Sequence, residues 1–472
     1  MRIASRLTVL TAVAIAGLGM TAAIPAAASS APHTRTAATA PGNAPGTETA
    51  RPQATGPATA LWVSRLHLSN GATVGYAVAA SPDGSRVFAT GTQSLPRNHT
   101  HGVTVAYNAT TGAQIWQAEN TTGTSGFTSI AVSPDGSTVF VTGFGNVGFR
   151  TPPQIVTVAY NAATGAICWT QVVGTYAAGG QSVAVSPDGS TVFIAGTAEC
   201  GKPINSCYVT AAYNAATGAA VWTQELENSG GAWSMAMSPD GSAVFVTGLV
   251  PSPTQTVFLT IAYNAATGAT LWTAPDNVQT LGTAPAVAVS PTGSAVFVAG
   301  SVPNGGGTSS YRTIAYSAAT GAQLWAQAFA NKNIGQTSAL AVSPDGSTVF
   351  VTGGVDSLPG ISAFGTVAYS ATTGARLWKA LDQSGGAAAD LTVSPDGSKV
   401  YVTGSRKSPT GFPQYDTVAY SSGTGARVWV ARYGNAALGA SGAQALAVSP
   451  DGSKEFVTGG NIKDLTTLAY KS

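Results

Sequence analysis

Two repeated segments decide how this 472-residue chain folds. Residues 131–143 read AVSPDGSTVFVTG, and residues 157–169 read TVAYNAATGAICW. The first segment carries a Ser-Pro-Asp-Gly element that occurs eight times, with Thr in place of Asp once, at steps of 51 to 55 residues. The copies begin at Ser81, Ser133, Ser186, Ser238, Ser290, Ser343, Ser394 and Ser449. A repeat with this period indicates that one structural unit occurs eight times.

Each unit contains four short segments rich in Val, Phe, Thr, Ile and Tyr, which predict four strands. Turn residues separate the strands. In Ser-Pro-Asp-Gly, Pro sets φ at the second turn position, Asp suits the third, and Gly accepts a positive φ at the fourth. Asn-Ala-Ala-Thr-Gly plays the same part between the third and fourth strands. A repeated four-stranded unit of about 40–50 residues is typical of a β-propeller blade.

The number of blades follows from counting the repeated aromatic residues. Eight Tyr strands occur, but only seven Trp strands follow them. The missing strand lies at the other end of the chain, where residues 60–66 read ALWVSRL and match the Trp strand. We therefore expect an all-β fold, a single eight-bladed β-propeller of four-stranded antiparallel blades. The N-terminal strand would close the last blade and leave no open edge at the junction.

The repeat resembles a known family. Residues 106–116, AYNATTGAQIW, are similar to the tryptophan-docking motif of quinoprotein-type (pyrroloquinoline-quinone-like repeat) propellers, in which an Asp stands at the position of Asn108. The chain has Asn or Ser at this Asp position in all seven complete copies. Residues 394–404, SPDGSKVYVTG, also resemble YVTN-type propeller repeats. The resemblance spans residues 59–472 and implies that each Trp packs on the neighbouring blade. The docking residues would be Trp62, Trp116, Trp169, Trp222, Trp272, Trp325, Trp378 and Trp429.

The N-terminal region predicts export. Arg2 and Arg6 precede an apolar run that ends in small residues at 26–28, as in a secretory signal peptide over residues 1–28. Cleavage is expected after Ala28, with Ala31 as the alternative. Residues 29–58 are rich in Ala, Pro and Thr and predict a flexible linker, so the propeller would occupy residues 59–472. No later run of 18 apolar residues occurs, so we expect a secreted, extracellular protein without a membrane span in the mature chain.

Charge is sparse. Only 8% of the residues are charged, against about 25% in soluble proteins. Removal of Arg2 and Arg6 leaves 19 basic and 19 acidic residues, and the largest basic cluster is the pair Arg406 and Lys407. Nucleic-acid binding is therefore not expected. The ordinary hydrophobic fraction of 44% argues against disorder. We expect a monomer.

The three cysteines predict one disulfide and one free thiol. Cys200 and Cys207 flank a short loop, and in an exported chain this spacing favours a disulfide between them. Cys168 lies beside Trp169 in a predicted strand. We expect Cys168 to be a buried, unpaired residue.

Candidate binding residues lie where the repeat is broken. The connections between blades vary in sequence, and such loops on a repeated scaffold commonly carry binding residues. We expect these connections to lie on the face of the propeller opposite the tight turns. Trp233 is the only Trp outside the docking register, at the start of the inner strand of its blade. Equivalent or adjacent positions should ring the channel mouth, which makes the candidate ligand-binding residues Tyr76, Gln181, Trp233, Asp390 and Gln444.

Asp390 and the separate pair His99 and His101 each have a functional and a structural interpretation. A lone carboxylate at Asp390 would bind a cation or a ligand hydroxyl, or else be solvated or bonded to a loop amide. The pair His99 and His101 has metal-ligand chemistry but no evident third ligand. Seven of the acidic residues lie in turns, where a structural role is expected. We predict no catalytic residue, no metal site and no cofactor.

Three functions fit these observations to different degrees. The favoured one is a secreted, non-catalytic propeller that binds a ligand or partner through its variable-loop face. The partner would be an extracellular small molecule, glycan or protein. The resemblance implies an alternative, a quinone-dependent dehydrogenase that holds pyrroloquinoline quinone and calcium, although the adjacent cysteines of those enzymes are absent. A lactonase-like hydrolase on the same scaffold is a third possibility, because fold does not imply function.

Overall fold

The fold is described from a computed structural model of the chain. The described residues are 58–68, 71–96, 99–120, 125–146, 152–174, 176–200, 205–227, 229–251, 255–276, 278–280, 286–305, 308–329, 335–358, 361–382, 385–408, 411–434, 442–460 and 463–472. The predicted signal peptide and residues 29–57 of the predicted linker lie outside them. All regular elements within these ranges are β-strands.

Each blade has an inner strand and a second strand that pairs with it. The inner strands are β2 (Ala72–Ala80), β6 (Ser125–Val132), β10 (Tyr176–Val185), β14 (Gly231–Met237), β18 (Ala286–Val289), β22 (Gly335–Val342), β26 (Gly386–Val393) and β30 (Gly442–Val448). The second strands are β3 (Arg86–Leu95), β7 (Thr138–Gly145), β11 (Thr191–Cys200), β15 (Ala243–Pro251), β19 (Ala295–Gly305), β23 (Thr348–Leu358), β27 (Lys399–Lys407) and β31 (Lys454–Gly460).

Two further strands complete each blade towards the rim. The third strands are β4 (His99–Asn108), β8 (Gln154–Asn161), β12 (Asn205–Asn214), β16 (Thr256–Asn264), β20 (Thr308–Ser317), β24 (Ile361–Ser370), β28 (Pro413–Ser421) and β32 (Asp464–Lys471). The outer strands are β5 (Gln114–Asn120), β9 (Ile167–Val173), β13 (Ala220–Leu226), β17 (Thr270–Asp276), β21 (Gln323–Phe329), β25 (Arg376–Asp382), β29 (Arg427–Tyr433) and β1 (Ala60–His67).

These strands form eight antiparallel blades in a closed ring, which confirms the predicted fold class. The inner strand of each blade contacts that of the next, and β30 contacts β2. The N-terminal strand β1 pairs antiparallel with β32 as the outer strand of blade 8. Blades 8 and 1 also share a single bridge between Val74 and Gly460. The first and last strands of the chain therefore close the ring by backbone pairing.

The tight turns have the chemistry that the sequence predicts. In blade 2, the Asp135 carboxylate accepts hydrogen bonds from the Ser133 hydroxyl and from the Ser137 amide. These bonds lower the pKa of Asp135, with the Ser133 bond as the largest cause. Gly136 has a φ of +71°, which L side chains adopt rarely. In blade 5, Thr292 replaces the Asp, and its hydroxyl bonds the Ser294 hydroxyl at 2.8 Å.

Each outer-strand Trp joins its blade to the next one. Trp116 donates its indole N–H to the Ala162 carbonyl of blade 2 at 2.9 Å. Its ring lies against Gly165, where a Cβ would come within 2.7 Å of the indole. The Phe88 and Tyr160 rings flank this indole from the two blades. Equivalent indole bonds to the next blade are made by Trp62, Trp169, Trp222, Trp272, Trp325 and Trp378.

The hydrophobic core is therefore divided into layers between adjacent blades. One layer, for example, joins Phe88 and Trp116 of blade 1 to Val139 and Tyr160 of blade 2. Trp429 differs from the other docking residues, because its Nε1 has no acceptor among the residues that the structure describes.

The cysteines divide into a pair and an exposed thiol. The structure joins Cys200 of β11 to Cys207 of β12, with their Cα atoms 6.1 Å apart. Cys168 is exposed, so the prediction that it is buried was wrong. Successive side chains in a strand point to opposite faces. Because Trp169 faces the next blade, its neighbour Cys168 faces solvent.

Candidate functional site

A ring of β-bulges surrounds the propeller axis near the loops that join the blades. Each bulge inserts one extra residue into an inner strand, five residues before the Ser that begins the following tight turn. Among the described residues the bulge occurs in seven blades, at Tyr76, Thr128, Gln181, Trp233, Ser338, Ala389 and Gln444. The equivalent residue of blade 5, Pro285, lies outside the described ranges. Bulges redirect side chains and are common next to functional sites.

Hydrogen bonds show that the bulges of adjacent blades lie at the same level. The Thr128 hydroxyl of blade 2 donates to the Gly180 carbonyl of blade 3 at 2.6 Å. Gly180 directly precedes the next bulge. The Ser338 hydroxyl of blade 6 likewise donates to the Ala388 carbonyl of blade 7 at 2.8 Å. A side chain at one bulge therefore reaches the start of the next one.

Four of the five predicted binding residues belong to this ring. Tyr76, Gln181, Trp233 and Gln444 are bulge residues, and all four are half-buried. Burial raises the pKa of Tyr76. Gln444 and Tyr76 come from the adjacent blades 8 and 1, while Gln181 and Trp233 come from the adjacent blades 3 and 4. The structure thus places them on two separate arcs of one ring.

Trp233 combines an apolar support with an unsatisfied donor. Its half-buried side chain packs against a small cluster formed by Leu249 and Phe258 of its own blade and Val302 of blade 5. Val278 packs against the same cluster. The indole Nε1 is buried and has no acceptor among the described residues. The bulge therefore holds an aromatic ring on an apolar cluster that two blades share.

Asp390 requires a correction, because its carboxylate is not available at the channel mouth. The residue is only 4% exposed and follows the bulge of its blade by one position. One carboxylate oxygen accepts the Leu446 amide of blade 8 at 2.9 Å, and the other accepts the Leu391 amide at 2.8 Å. Burial raises the pKa of Asp390 to about 7, against the opposing effect of these two bonds.

Asp390 occupies a position where other blades use serine. The Ser129 hydroxyl of blade 2 accepts the Val183 amide of blade 3, and the Ser234 hydroxyl of blade 4 accepts the Val287 amide of blade 5. The inner strand has no neighbouring strand on its axial side, so its amides need other acceptors. Asp390 therefore joins blades 7 and 8 in the way that these serines join other blades.

The candidate metal ligands His99 and His101 lie in a strand. They lie in β4, where they pair with Leu95 and Gln93 of β3. Within the described part of the chain, no group of three or more His, Cys, Asp or Glu side chains could hold a metal ion.

Sequence reasoning missed several charged residues that interrupt the repeat in the later blades. Asp416 is fully buried, with Arg432 Nε at 3.4 Å and Arg406 Nε at 3.9 Å from its carboxylate oxygens. Glu455 is also fully buried, and neither of its oxygens has a hydrogen-bond partner in the described ranges. Burial raises its pKa well above the ordinary value. Comparison of the repeats could have identified Glu455, because the other seven blades carry Val at its position.

The class of protein is now defined as an eight-bladed propeller with tryptophans bonded to the next blade. A family model described as outer membrane protein assembly factor BamB, built on pyrroloquinoline-quinone-like repeats, matches residues 100–202, 205–299 and 255–449. These matches cover most of the chain, which therefore belongs to this family of PQQ-like β-propellers. No curated protein matches it in sequence.

Solved structures show the same fold at low sequence identity. Sqt1 of Chaetomium thermophilum, bound to the N-terminus of a ribosomal protein, is 14% identical with a TM-score of 0.59. The match covers 86% of this chain and 98% of Sqt1. The quinohemoprotein alcohol dehydrogenase ADHIIG of Pseudomonas putida is 14% identical with a TM-score of 0.55, over 88% of this chain and 76% of the enzyme. In the ranges described, no helix is long and apolar enough to span a bilayer.

Proposed function

We propose that this protein is an exported, non-catalytic propeller that binds a protein segment through the face formed by the loops between its blades. Trp233 is its anchor. The observation that carries the proposal is the half-buried indole supported by the cluster of Leu249, Phe258 and Val302. A partner covers the part of this half-buried ring that the protein leaves exposed.

Trp233 has the properties of an interface anchor. Tryptophan is enriched among residues that dominate binding energy, because it offers a large apolar surface together with one hydrogen-bond donor. The bulge fixes the backbone beneath it, so little conformational entropy is lost on binding. Sqt1, a propeller of the same fold, was solved with the N-terminus of a ribosomal protein bound, which supports a peptide as the type of ligand.

The side chains of the bulge ring bear on the dehydrogenase alternative. A site for pyrroloquinoline quinone and calcium needs several carboxylate or amide oxygens close together. The Asp390 carboxylate is buried and bonded to two backbone amides. No cluster of three acidic or other metal-binding side chains occurs within the described ranges. The residues present do not fit that cofactor.

A peptide-display selection tests the proposal directly. Random peptides selected on the wild-type protein are measured against a Trp233→Ala variant and a Phe412→Ala control, which removes another exposed aromatic ring. Loss of an anchor costs about 2 kcal/mol or more, so affinity should fall roughly 30-fold in Trp233→Ala and remain unchanged in the control. Equal binding by all three proteins would exclude Trp233 as the anchor.

Two further measurements test the remaining parts of the proposal. The culture medium of a producing cell should contain a chain that begins at Ser29 or shortly after it, as determined by mass spectrometry. Addition of pyrroloquinoline quinone and calcium should cause no absorbance change and no dye reduction with simple alcohols. Dye reduction would replace the proposal with the dehydrogenase alternative.

A further inference from the structure

One position of the repeat carries arginine in only two blades, and these two blades are neighbours. The position is the third residue after the docking Trp, where blade 7 has Arg432 and blade 8 has Arg65. Blades 1 and 3 have Glu119 and Glu225 there, and the other four blades have uncharged residues. Because only 8% of the chain is charged, the two arginines mark a distinct part of the rim.

A third exposed cation lies at the same end of blade 7. Lys407 is the last residue of β27, and Arg432 is the residue before the last in β29. Along β28, the partner of Lys407 lies three residues from the partner of Arg432. Two strand spacings and three residue rises therefore place their Cα atoms about 14 Å apart. We call Arg65, Lys407 and Arg432 the basic edge.

Arg65 is held in position by an aromatic ring of blade 7. Its Nε donates to the Tyr433 hydroxyl at 2.9 Å, and its Nη2 donates to the same oxygen. The Arg65 Cζ lies 5.8 Å from the centre of the Tyr433 ring. These bonds use two of the five N–H donors of the guanidinium, so three remain for a ligand. Arg65 is exposed, and it therefore presents a fixed cation to solvent.

Arg432 and Lys407 are exposed as well. The Arg432 side chain is 43% exposed, and its Nε lies 3.4 Å from Asp416 Oδ1, beyond the usual N–H···O distance. The Asp416 carboxylate is fully buried and also faces Arg406 Nε at 3.9 Å. Asp416 thus lies beneath Arg432 and leaves the outer side of the guanidinium open to a partner.

The surroundings of the basic edge carry a net positive charge. At the loop-side ends of the second, third and outer strands of blades 7 and 8, the described residues include five basic and two acidic ones. They are Arg65, Arg406, Lys407, Arg432 and Lys463, with Asp416 and Asp464. The two carboxylates are 0% and 15% exposed, so a partner at the surface meets mainly cations.

We propose that the basic edge binds an acidic segment of a partner protein. Carboxylates of this segment accept hydrogen bonds from Arg65 and Arg432, and a further carboxylate pairs with Lys407. A planar guanidinium can bind a carboxylate through two parallel N–H···O bonds, which favours arginine at such surfaces. Since Tyr433 already fixes Arg65, less conformational entropy is lost when the segment binds.

A long polyanion fits this surface less well than a short acidic segment. Nucleic acids are bound by many cations that neutralise successive phosphates. The basic edge is short, and the same rim position in the next blade carries the exposed Glu119, which would repel a continuing polyanion. The basic edge lies on second and outer strands of blades 7 and 8, whereas Trp233 lies on the inner strand of blade 4. The proposal therefore does not rest on the Trp233 site.

Fluorescence anisotropy with two labelled decapeptides tests the proposal. One peptide alternates Glu and Gly, the other alternates Gln and Gly, and each spans about 33 Å when extended, enough to cross the basic edge. At about 20 mM salt, the acidic peptide should bind the wild-type protein with a dissociation constant of about 10–100 μM. Binding should weaken roughly tenfold at about 200 mM salt, because exposed charges are screened. Absence of binding at about 1 mM protein, or equal binding of the two peptides, would overturn the proposal.

Two double variants with equal charge loss show whether the basic edge is the binding surface. Arg65→Gln with Lys407→Gln should weaken binding of the acidic peptide roughly tenfold or more. The matched control, Arg376→Gln with Lys471→Gln, removes two exposed cations from the first residue of β25 and the last described strand residue of β32. The control should bind as the wild type does, and an equal loss in both double variants would overturn the proposal.

Further variants separate charge from folding and from the Trp233 site. Arg65→Lys with Lys407→Arg keeps both charges and should bind the acidic peptide within about threefold of the wild type. Thermal unfolding midpoints establish that each variant is folded. Trp233→Ala should bind this peptide like the wild type, so failure of the Trp233 proposal and of this one can be told apart. Tighter binding of heparin than of the acidic peptide would replace the protein partner with a polyanion and overturn the proposal.

Discussion

Replacement of Asp390 by serine should remove a large part of the pH dependence of stability. The pKa of this carboxyl is raised from 3.8 to about 7, chiefly by burial. The folded protein therefore retains a proton that the unfolded chain loses between these two pH values. The stabilising contribution is complete below about pH 4 and is lost as the pH rises through about 7. At about 1.4 kcal/mol per pKa unit, the free energy of unfolding falls by roughly 4 kcal/mol over this window.

The serine variant keeps the inter-blade contact and loses the titration. Ser129 and Ser234 show that a hydroxyl at this position accepts the amide of the next blade. Asp390→Ser should therefore match the wild type within about 1 kcal/mol at pH 4 and exceed it at pH 8. Urea unfolding at several pH values, followed by circular dichroism, measures both curves.

The comparison between variants isolates Asp390 from the other titrating groups. These groups are present in both proteins, so their effects cancel in the difference. Ser129→Ala serves as a control, because it removes the equivalent neutral bond of blade 2 and should cost about 1 kcal/mol at every pH. If the wild-type and Asp390→Ser curves run parallel from pH 4 to pH 8, the reasoning is refuted.

Three further predictions follow from buried or exposed single residues. Glu455→Val should raise the unfolding free energy by about 1–3 kcal/mol at pH 7, because it removes a buried carboxyl that has no hydrogen-bond partner among the described residues. A lower thermal midpoint would contradict this account. Gly165→Ala should destabilise the protein in urea by more than about 1 kcal/mol, since it combines a positive φ with a 2.7 Å approach to Trp116. Gly423→Ala, where nothing lies within 4 Å, should have little effect, and equal losses would argue against the Trp contact. Cys168 is exposed, so the native protein should react with one equivalent of a thiol reagent, and an unreactive native thiol would show that it is shielded.

Local sequence was sufficient for the architecture because turns and strands depend on neighbouring residues. The four-stranded unit and the number of blades could be predicted from two features. These are the Pro, Asp and Gly of each tight turn and the regular spacing of residues such as Tyr107 and Trp116. The surplus Trp62 strand gave the closure by β1. The alternation of side chains along β9 would also have placed Cys168 outward, since Trp169 had to face the next blade.

The candidate site was predictable only in part. The break in the repeat at Trp233 identified the inner-strand position, but not the bulge or the apolar cluster beneath it. Asp390 was a candidate ligand-binding carboxylate, with solvation or a hydrogen bond to a loop amide as the alternative. The sequence could not decide between them, because the Leu446 amide that Asp390 accepts belongs to the next blade.

The sequence alone determined the period, the turns, the four-stranded unit and the closure of the ring, all of which rest on local backbone preferences. The tertiary structure alone decided which polar groups are paired. Asp390 meets the Leu446 amide 56 residues later, while Asp382 and Arg427 meet across the boundary between two blades without forming a hydrogen bond. Burial and hydrogen bonding of a side chain depend on the adjacent blade, whose residues lie about one repeat away in the chain, and small changes of position there decide whether a charge is satisfied.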